Sequence, residues 1–274
     1  MSRKARKQIA EETLRIIAAG AYITQAGARV RIAREIEAAV QGTELIRPDD
    51  FDELQLHEQN YETEVEVYNE TTFAGAKALL DDGAEEVCSL NFASAKNPGG
   101  GFLGGSQAQE EALARASALY ECLLRTPEYY EFHRSDSLNG LYSHHMVYSL
   151  KVPVFRDDAD RLLDEPWLTS IITSPAVNAG AVMKNAPHNA KRIEPIMSER
   201  IERVLLLAAA RGEKNLVLGA WGCGVFRNDP KVIASLFKDA IKSERLRGLF
   251  AKVRFSVLDR SEKTTTLDAF RKVL

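Results

Sequence analysis

NPGGGFLGGSQAQEE, residues 97 to 111, places five glycines and a pair of glutamates directly after the apolar run VCSLNFAS. A short β-like run, a bare backbone and then a helix start make up the unit from which α/β sheets are built, and this stretch decides for that class. Two phosphate-binding signatures fit it on paper and fail in context. Gly99, Gly101 and Gly104 satisfy G-x-G-x-x-G, but that fingerprint needs a tight strand-to-helix turn, whereas Ala95-Lys96-Asn97-Pro98 intervenes here and the helix begins only near Gln109. Gly100 and Gly105 have Walker A spacing, yet Ser106 and Gln107 stand where Lys and Ser or Thr are required.

Further along, NLVLGAWGCGVFRNDP, residues 215 to 230, has the same plan: a buried-type strand, then Gly219, Gly222 and Gly224, then a helix with Asp229 as N-cap and Pro230 at its first position. Other strand candidates are TEVEVY, MVYSLKVPVF, LTSIITSPA and KVRFSVLD, alternating with the helical run FAGAKALLDD and a helix from 109 to about 125. Two helices have clear apolar stripes, Ile201, Val204, Leu205, Ala208, Ala209 and Ile233, Leu236, Phe237, Ala240, Ile241, and Gly212 stops the first of them. Residues 1 to about 60 look mainly helical (IAEETLRIIAAG, ARVRIAREIEAAV) and precede the first strand, so they read as an appended layer on a core spanning 61 to 274. RDDADRLLDEP, at 156 to 166, reads as a solvated loop.

A chain of 274 residues with 45% apolar content can bury a proper core. Its net charge of -3 argues against holding nucleic acid by neutralising phosphates, so contacts to any anionic ligand must be local, with backbone N–H groups the obvious donors. Cys88, Cys122 and Cys223 form no CxxC and no Cys/His cluster; neither a disulfide framework nor a metal site is expected, and a reducing cytoplasmic setting is. The N-terminus, MSRKARKQIAEETLRII, reads as a helix and not as a signal peptide, and no apolar run is long enough to span a bilayer.

Glycine lets a main chain approach a phosphate closely and turn several N–H groups inward, and a helix N-terminus adds partial positive charge. Two such loops at the carboxyl edge of one sheet would cover a pyrophosphate, with Phe226 stacking on an adenine or packing on a ribose. A surface loop that merely needs glycine, an aromatic that is plain core, and glutamates that only stabilise a helix start fit these residues too. Neighbouring helix residues project about 100° apart, so Glu110 and Glu111 are not expected to face one atom as a paired acid and nucleophile; one acts and the other positions. In a partly dry cleft beside a diphosphate the acting carboxyl would have a raised pKa, which suits a proton donor.

Gly99-Gly100-Gly101, seven intervening residues and Gln109-Glu110-Glu111 resemble the GGG-x(6 to 8)-QEE signature of poly(ADP-ribose) glycohydrolases. LNFASAKNPGGGFLGG, VPVFRDD, SPAVNAG and GAWGCGVF are similar to the bacterial short form of that family, so the resemblance covers about residues 60 to 270. It implies a macrodomain-like three-layer α/β/α sandwich with a mixed sheet and an N-terminal helical extension, without metal or cofactor. It also implies hydrolysis of ribose–ribose O-glycosidic bonds in poly(ADP-ribose), with ADP-ribosylated proteins as partners and the response to DNA damage as the setting. Carried over by position, Glu111 is the acid/base and Glu110 holds ribose hydroxyls; Gly99, Gly100, Gly101, Gly222, Cys223, Gly224 and Val225 embrace the diphosphate; Phe226 lies at the nucleoside end, and Gln109 belongs to the substrate-binding set. Where many macrodomains carry an asparagine on the distal ribose this chain has Ser94, and either Ser94 or the nearby Asn97 is left to serve there. The family's N-terminal layer closes one side of the cleft, which implies attack at chain ends. Binding of ADP-ribose without cleavage, and removal of single ADP-ribose units from protein, are the competing readings.

Overall fold

The computed structural model describes residues 1–56, 59–135 and 139–274. Ser2 caps the first helix, α1 (Arg3–Ala19), by accepting from the Ala5 N–H, and left-handed Gly20 ends it. A small hairpin of β1 (Ala21–Ile23) and β2 (Arg29–Arg31) leads into α2 (Ala33–Gln41) and β3 (Thr43–Ile46). The core continues with β4 (Glu64–Tyr68), α3 (Thr72–Asp81) and β5 (Cys88–Phe92). After the glycine stretch come α4 (Gln109–Ala116), α5 (Leu119–Leu124) and α6 (Pro127–Ser135), then the long hairpin β6 (Met146–Arg156) and β7 (Leu162–Ser174). The chain finishes through α7 (Ala179–Asn185), α8 (Ile193–Ala210), β8 (Asn215–Leu218), α9 (Pro230–Lys242), β9 (Lys252–Ser256) and α10 (Thr265–Val273).

Seven strands form one mixed sheet in the order β3-β6-β7-β5-β8-β9-β4. β7, β5, β8, β9 and β4 run parallel to one another, while β6 is antiparallel to both β7 and β3. Strand residues alternate between two cores, as a period of two requires. Leu90, Tyr148, Ile172 and Leu218 pack with α8, α9 and α10 on one face, while Val147, Val154 and Ile171 pack with α1, α2 and α5 on the other. Helices on both faces make the three-layer sandwich expected from the sequence.

Three local expectations differ from what is observed. The helix expected from 109 to about 125 breaks at Ser117, whose extended backbone forms a bridge with Val154 while Ala118 N–H donates to the Pro153 carbonyl. The Ser117 hydroxyl compensates by donating to Leu113 O at 2.8 Å and accepting from Leu119 N–H. Of the stretch read as a loop at 156 to 166, residues 162 onward are strand; the turn before them is closed by Asp157 Oδ1, which accepts from the Ala159 and Arg161 N–H groups at 2.9 Å each. Finally, the first 60 residues are not only helical and do not all precede the sheet. Thr43–Ile46 pairs with β6, Thr43 opposite Ser149, as an edge strand.

Candidate active site

Parallel β5, β7 and β8 are neighbours, so the loops that follow them open at one edge of the sheet. After β5 the chain turns on itself: Gly100 N–H donates to Asn97 O, Phe102 N–H to Gly99 O and Gly104 N–H to Gly101 O, each at 3.0 Å. Gly99 and Gly100 are left-handed, with φ of 65° and 58°. What surrounds this backbone is protein. A Cβ on Gly100 would lie 2.6 Å from Glu111 Oε1 and 3.0 Å from Glu110 Oε2; one on Gly101 would strike the Ser106 side chain, and one on Gly99 would meet the Tyr120 ring at 3.0 Å. The triplet is bare so that the two carboxylates can close onto it.

Gln109 fastens the start of α4 to the end of β5. Its Oε1 accepts from Phe92 N–H at 2.8 Å, and its Nε2 donates to Leu90 O at 2.8 Å and Thr72 Oγ1 at 3.0 Å. The carboxamide of this expected substrate-binding residue is thus turned into the protein. Glu110, 3% exposed, accepts from Ser94 N–H at 2.7 Å through Oε2 and from Asn91 Nδ2 at 3.3 Å through Oε1. Burial pushes its carboxyl up to about 8, against the pull of the hydrogen bonds from Ser94 and Asn91 and with a smaller push from the Glu111 charge. Glu111 is buried at the cleft wall, and its Oε1 accepts from Gly101 N–H at 2.8 Å. Both carboxylates converge on Gly100 despite projecting about 100° apart at the helix, because the loop wraps the first turn of α4.

The loop after β8 is built differently. Gly219 is held tight, since a Cβ there would lie 2.6 Å from Ser256 O, and Gly222, with φ of 75°, would meet Ala176 Cβ at 2.6 Å. Asn228 Nδ2 fixes the base of the loop by donating to Val177 O at 2.8 Å and Gly222 O at 3.1 Å, and buried Trp221 donates to Ser174 O. At Gly224 and Val225 the chain stands clear of the protein. Nothing lies within 4 Å of a Cβ on Gly224, which has no positive φ either, and Val225 is 86% exposed. Phe226 is half-buried on the core next to Tyr142, with ring centroids 6.2 Å apart. Cys223 is a neutral thiol, pushed up to about 12 by burial.

Asn97 is exposed at the rim and contributes backbone to the turn, its N–H donating to Ser94 Oγ at 3.2 Å. Sequence reasoning missed Asn91 and Arg115. Asn91 is a fully buried amide inside an apolar strand, a conflict of polarity visible in VCSLNFAS, and Arg115 carries no such sign. A cleft lined by Lys96, Asn139, Gly140, Tyr142, Ala181 and Asn185 adjoins the same edge. A hollow of about 330 Å³ at the opposite edge, near Glu86, Gly212 and Lys214, gathers no comparable convergence of carboxylates and backbone donors. The arrangement supplies a carboxyl whose pKa burial raises, a second carboxyl oriented by a main-chain N–H, and an exposed glycine strap after the neighbouring strand.

The family model for the microbial-type PARG catalytic domain matches residues 10–157. A solved poly(ADP-ribose) glycohydrolase from Thermomonospora curvata is 41% identical, covers 99% of this chain and 100% of its own, and superposes with a TM-score of 0.93. A second structure of that enzyme, bound to the inhibitor ADP-HPD, is 42% identical over 99% and 100% of the two chains, with a TM-score of 0.92. The glycohydrolase from Deinococcus radiodurans, in complex with ADP-ribose, is 46% identical over 89% of this chain and 98% of its own, with a TM-score of 0.83. No curated protein matches.

Proposed function

The chain belongs to the microbial-type poly(ADP-ribose) glycohydrolase family, and from that premise we propose how its own residues perform the hydrolysis. The substrate is poly(ADP-ribose), cut at ribose–ribose O-glycosidic bonds to release ADP-ribose. The observation that carries the assignment is the convergence of Glu110 and Glu111 on left-handed Gly100.

The Gly101 N–H occupies Oε1 of Glu111 and leaves Oε2 for the glycosidic oxygen. Glu111 protonates that oxygen as its bond to the anomeric carbon breaks, and the oxocarbenium ion that forms is offset by the adjacent diphosphate. Water then attacks the anomeric carbon and returns its proton to Glu111, so one carboxyl serves as acid and then as base, unlike the two-carboxylate plan of most glycosidases. Glu110, whose carboxyl burial pushes up to about 8, holds ribose hydroxyls. Gly224 and Val225 approach the diphosphate from the other side, with Phe226 at the nucleoside end. Gly99, Gly100 and Gly101 border the diphosphate with their backbone, and Asn97 reaches the distal ribose.

Residues 1–60 act as one unit with the 61–274 core. Arg3 Nε donates to Gly104 O and Arg6 Nε to Gly105 O, both at 2.9 Å, which supports a closed side to the cleft and attack at chain ends. Three free cysteines support a cytoplasmic location. Membership of the family supports ADP-ribosylated proteins as partners and a response to DNA damage as the setting. No helix among the described residues is long and apolar enough to cross a membrane.

Glu111→Gln should abolish release of ADP-ribose from the polymer while ADP-ribose affinity stays within about tenfold. Near-normal turnover overturns the assignment. Running the parent enzyme on polymer and on mono-modified protein separates the competing readings, because a pure binder frees nothing from either and a mono-ADP-ribosyl hydrolase acts on the second.

A further inference from the structure

Four residues beyond Glu111, on the same helix, Arg115 is 3% exposed, and its guanidinium points back along α4 as helical side chains do. Its Nη1 donates to Ser106 O at 3.3 Å and its Nη2 to Gln107 Oε1 at 2.8 Å, both in the segment joining the glycine turn to α4. Ser106 N–H donates in turn to Gly101 O at 3.1 Å, and Gly101 N–H donates to Glu111 Oε1 at 2.8 Å. Three successive contacts therefore lead from one guanidinium to the carboxyl assigned as acid/base.

The same guanidinium is fixed from behind. Its Nε donates to Asp160 Oδ1 at 3.2 Å, an ion pair in which both side chains are at most 10% exposed. Asp160 sits at the tip of the β6–β7 hairpin with φ of 60°, and its carbonyl accepts from Arg156 Nη1 at 2.9 Å. Arg156 Nε donates to Thr13 Oγ1 at 3.3 Å, and Thr13 Oγ1 donates to Arg115 O at 2.7 Å, which closes a ring through α1, the hairpin tip and α4. Glu12 adds its carboxylate to Arg156 at 2.8 Å, so two cations and two anions meet there. A buried guanidinium with its donors spread over three partners in two segments holds a geometry that a point charge cannot.

We infer that Arg115 is a positioning residue for the glycohydrolase reaction, which sets the Gly101 N–H against Glu111 by holding Ser106 and Gln107. This rests on the assignment of Glu111. Arg115 touches no substrate; it acts through the loop peptide.

Arg115→Lys keeps the charge beside Asp160 and loses the fork. Its kcat on polymer should fall about tenfold or more, with KM and ADP-ribose affinity within about threefold and a folded fraction equal to the parent's by circular dichroism. Gln107→Ala removes one acceptor at an exposed position, leaves folding untouched and should lower kcat about threefold. Parent-like kcat per folded molecule in both variants overturns the inference, as does a loss confined to KM or to stability. Glu111→Gln, assayed alongside, keeps the two readings apart: if it turns over normally, the assignment of Glu111 fails, whereas an inert Glu111→Gln beside fully active Arg115 and Gln107 variants fails the positioning role alone.

Discussion

The two glycine-rich loops at the carboxyl edge of the sheet look alike as sequence and differ in what their glycines are for. In the loop after β5, every residue of the Gly99-Gly100-Gly101 triplet presses on protein, and the middle one makes room for two carboxyl groups. In the loop after β8, Gly219 and Gly222 are pressed in the same way, whereas a Cβ on Gly224 would have nothing within 4 Å and no backbone strain to relieve. A glycine whose Cβ would strike its own fold is explained by folding. One with open space around it is explained by what arrives from outside, and only the second loop holds such a residue at its tip.

Gly100→Ala attacks that contrast hardest. The added methyl would overlap Glu111 Oε1 at a left-handed φ, so both carboxylates must move, and kcat should fall by about a hundredfold or more with roughly 1–2 kcal/mol of stability. Activity within threefold of the parent would mean that the first loop is no more committed to the carboxylates than the second. Glu110→Gln comes next. The folded chain holds the Glu110 proton up to about pH 8, whereas the unfolded carboxyl titrates near its ordinary 4.5. Stability from this group is therefore full below about 4.5 and is lost as pH rises through about 8, at up to roughly 1.4 kcal/mol per pH unit across that window. The amide variant removes this slope, so its melting temperature should gain on the parent's between pH 5 and 8; parallel curves would show that the loop does not bury an acid. The smallest effect belongs to Gly224→Ala, with an unchanged melting temperature and an ADP-ribose affinity about tenfold weaker by calorimetry. A lower melting temperature with unchanged affinity would make the two loops alike after all.

Much of this was legible in the chain because short-range rules govern it. The strands VCSLNFAS and NLVLGAWG, the Asp229 cap and the Gln109-Glu110-Glu111 helix start all depend on neighbours within a few positions. The misreadings depend on distant partners. Ser117 breaks a helix because Val154 draws its backbone into a bridge, and Thr43–Ile46 becomes strand because β6 offers it an edge. Arg115 looks like any cation on a short helix until the hairpin tip folds over it. The order of the carboxylates in the motif was readable, but not which of them is the more deeply buried, since Glu110 owes its environment to Asn91 on β5 and Ser94 in the loop after it.

β4 occupies one edge of the sheet and pairs only with β9, Glu64 opposite Lys252. On the ribosome it is therefore the first parallel strand to emerge and the last to find a partner, its backbone donors waiting through the translation of nearly the whole core. With such long-range pairing at the edge, the sheet closes as a late event of biosynthesis. A nascent chain stalled before residue 252 would carry both carboxylates and both glycine loops and still expose an unpaired strand.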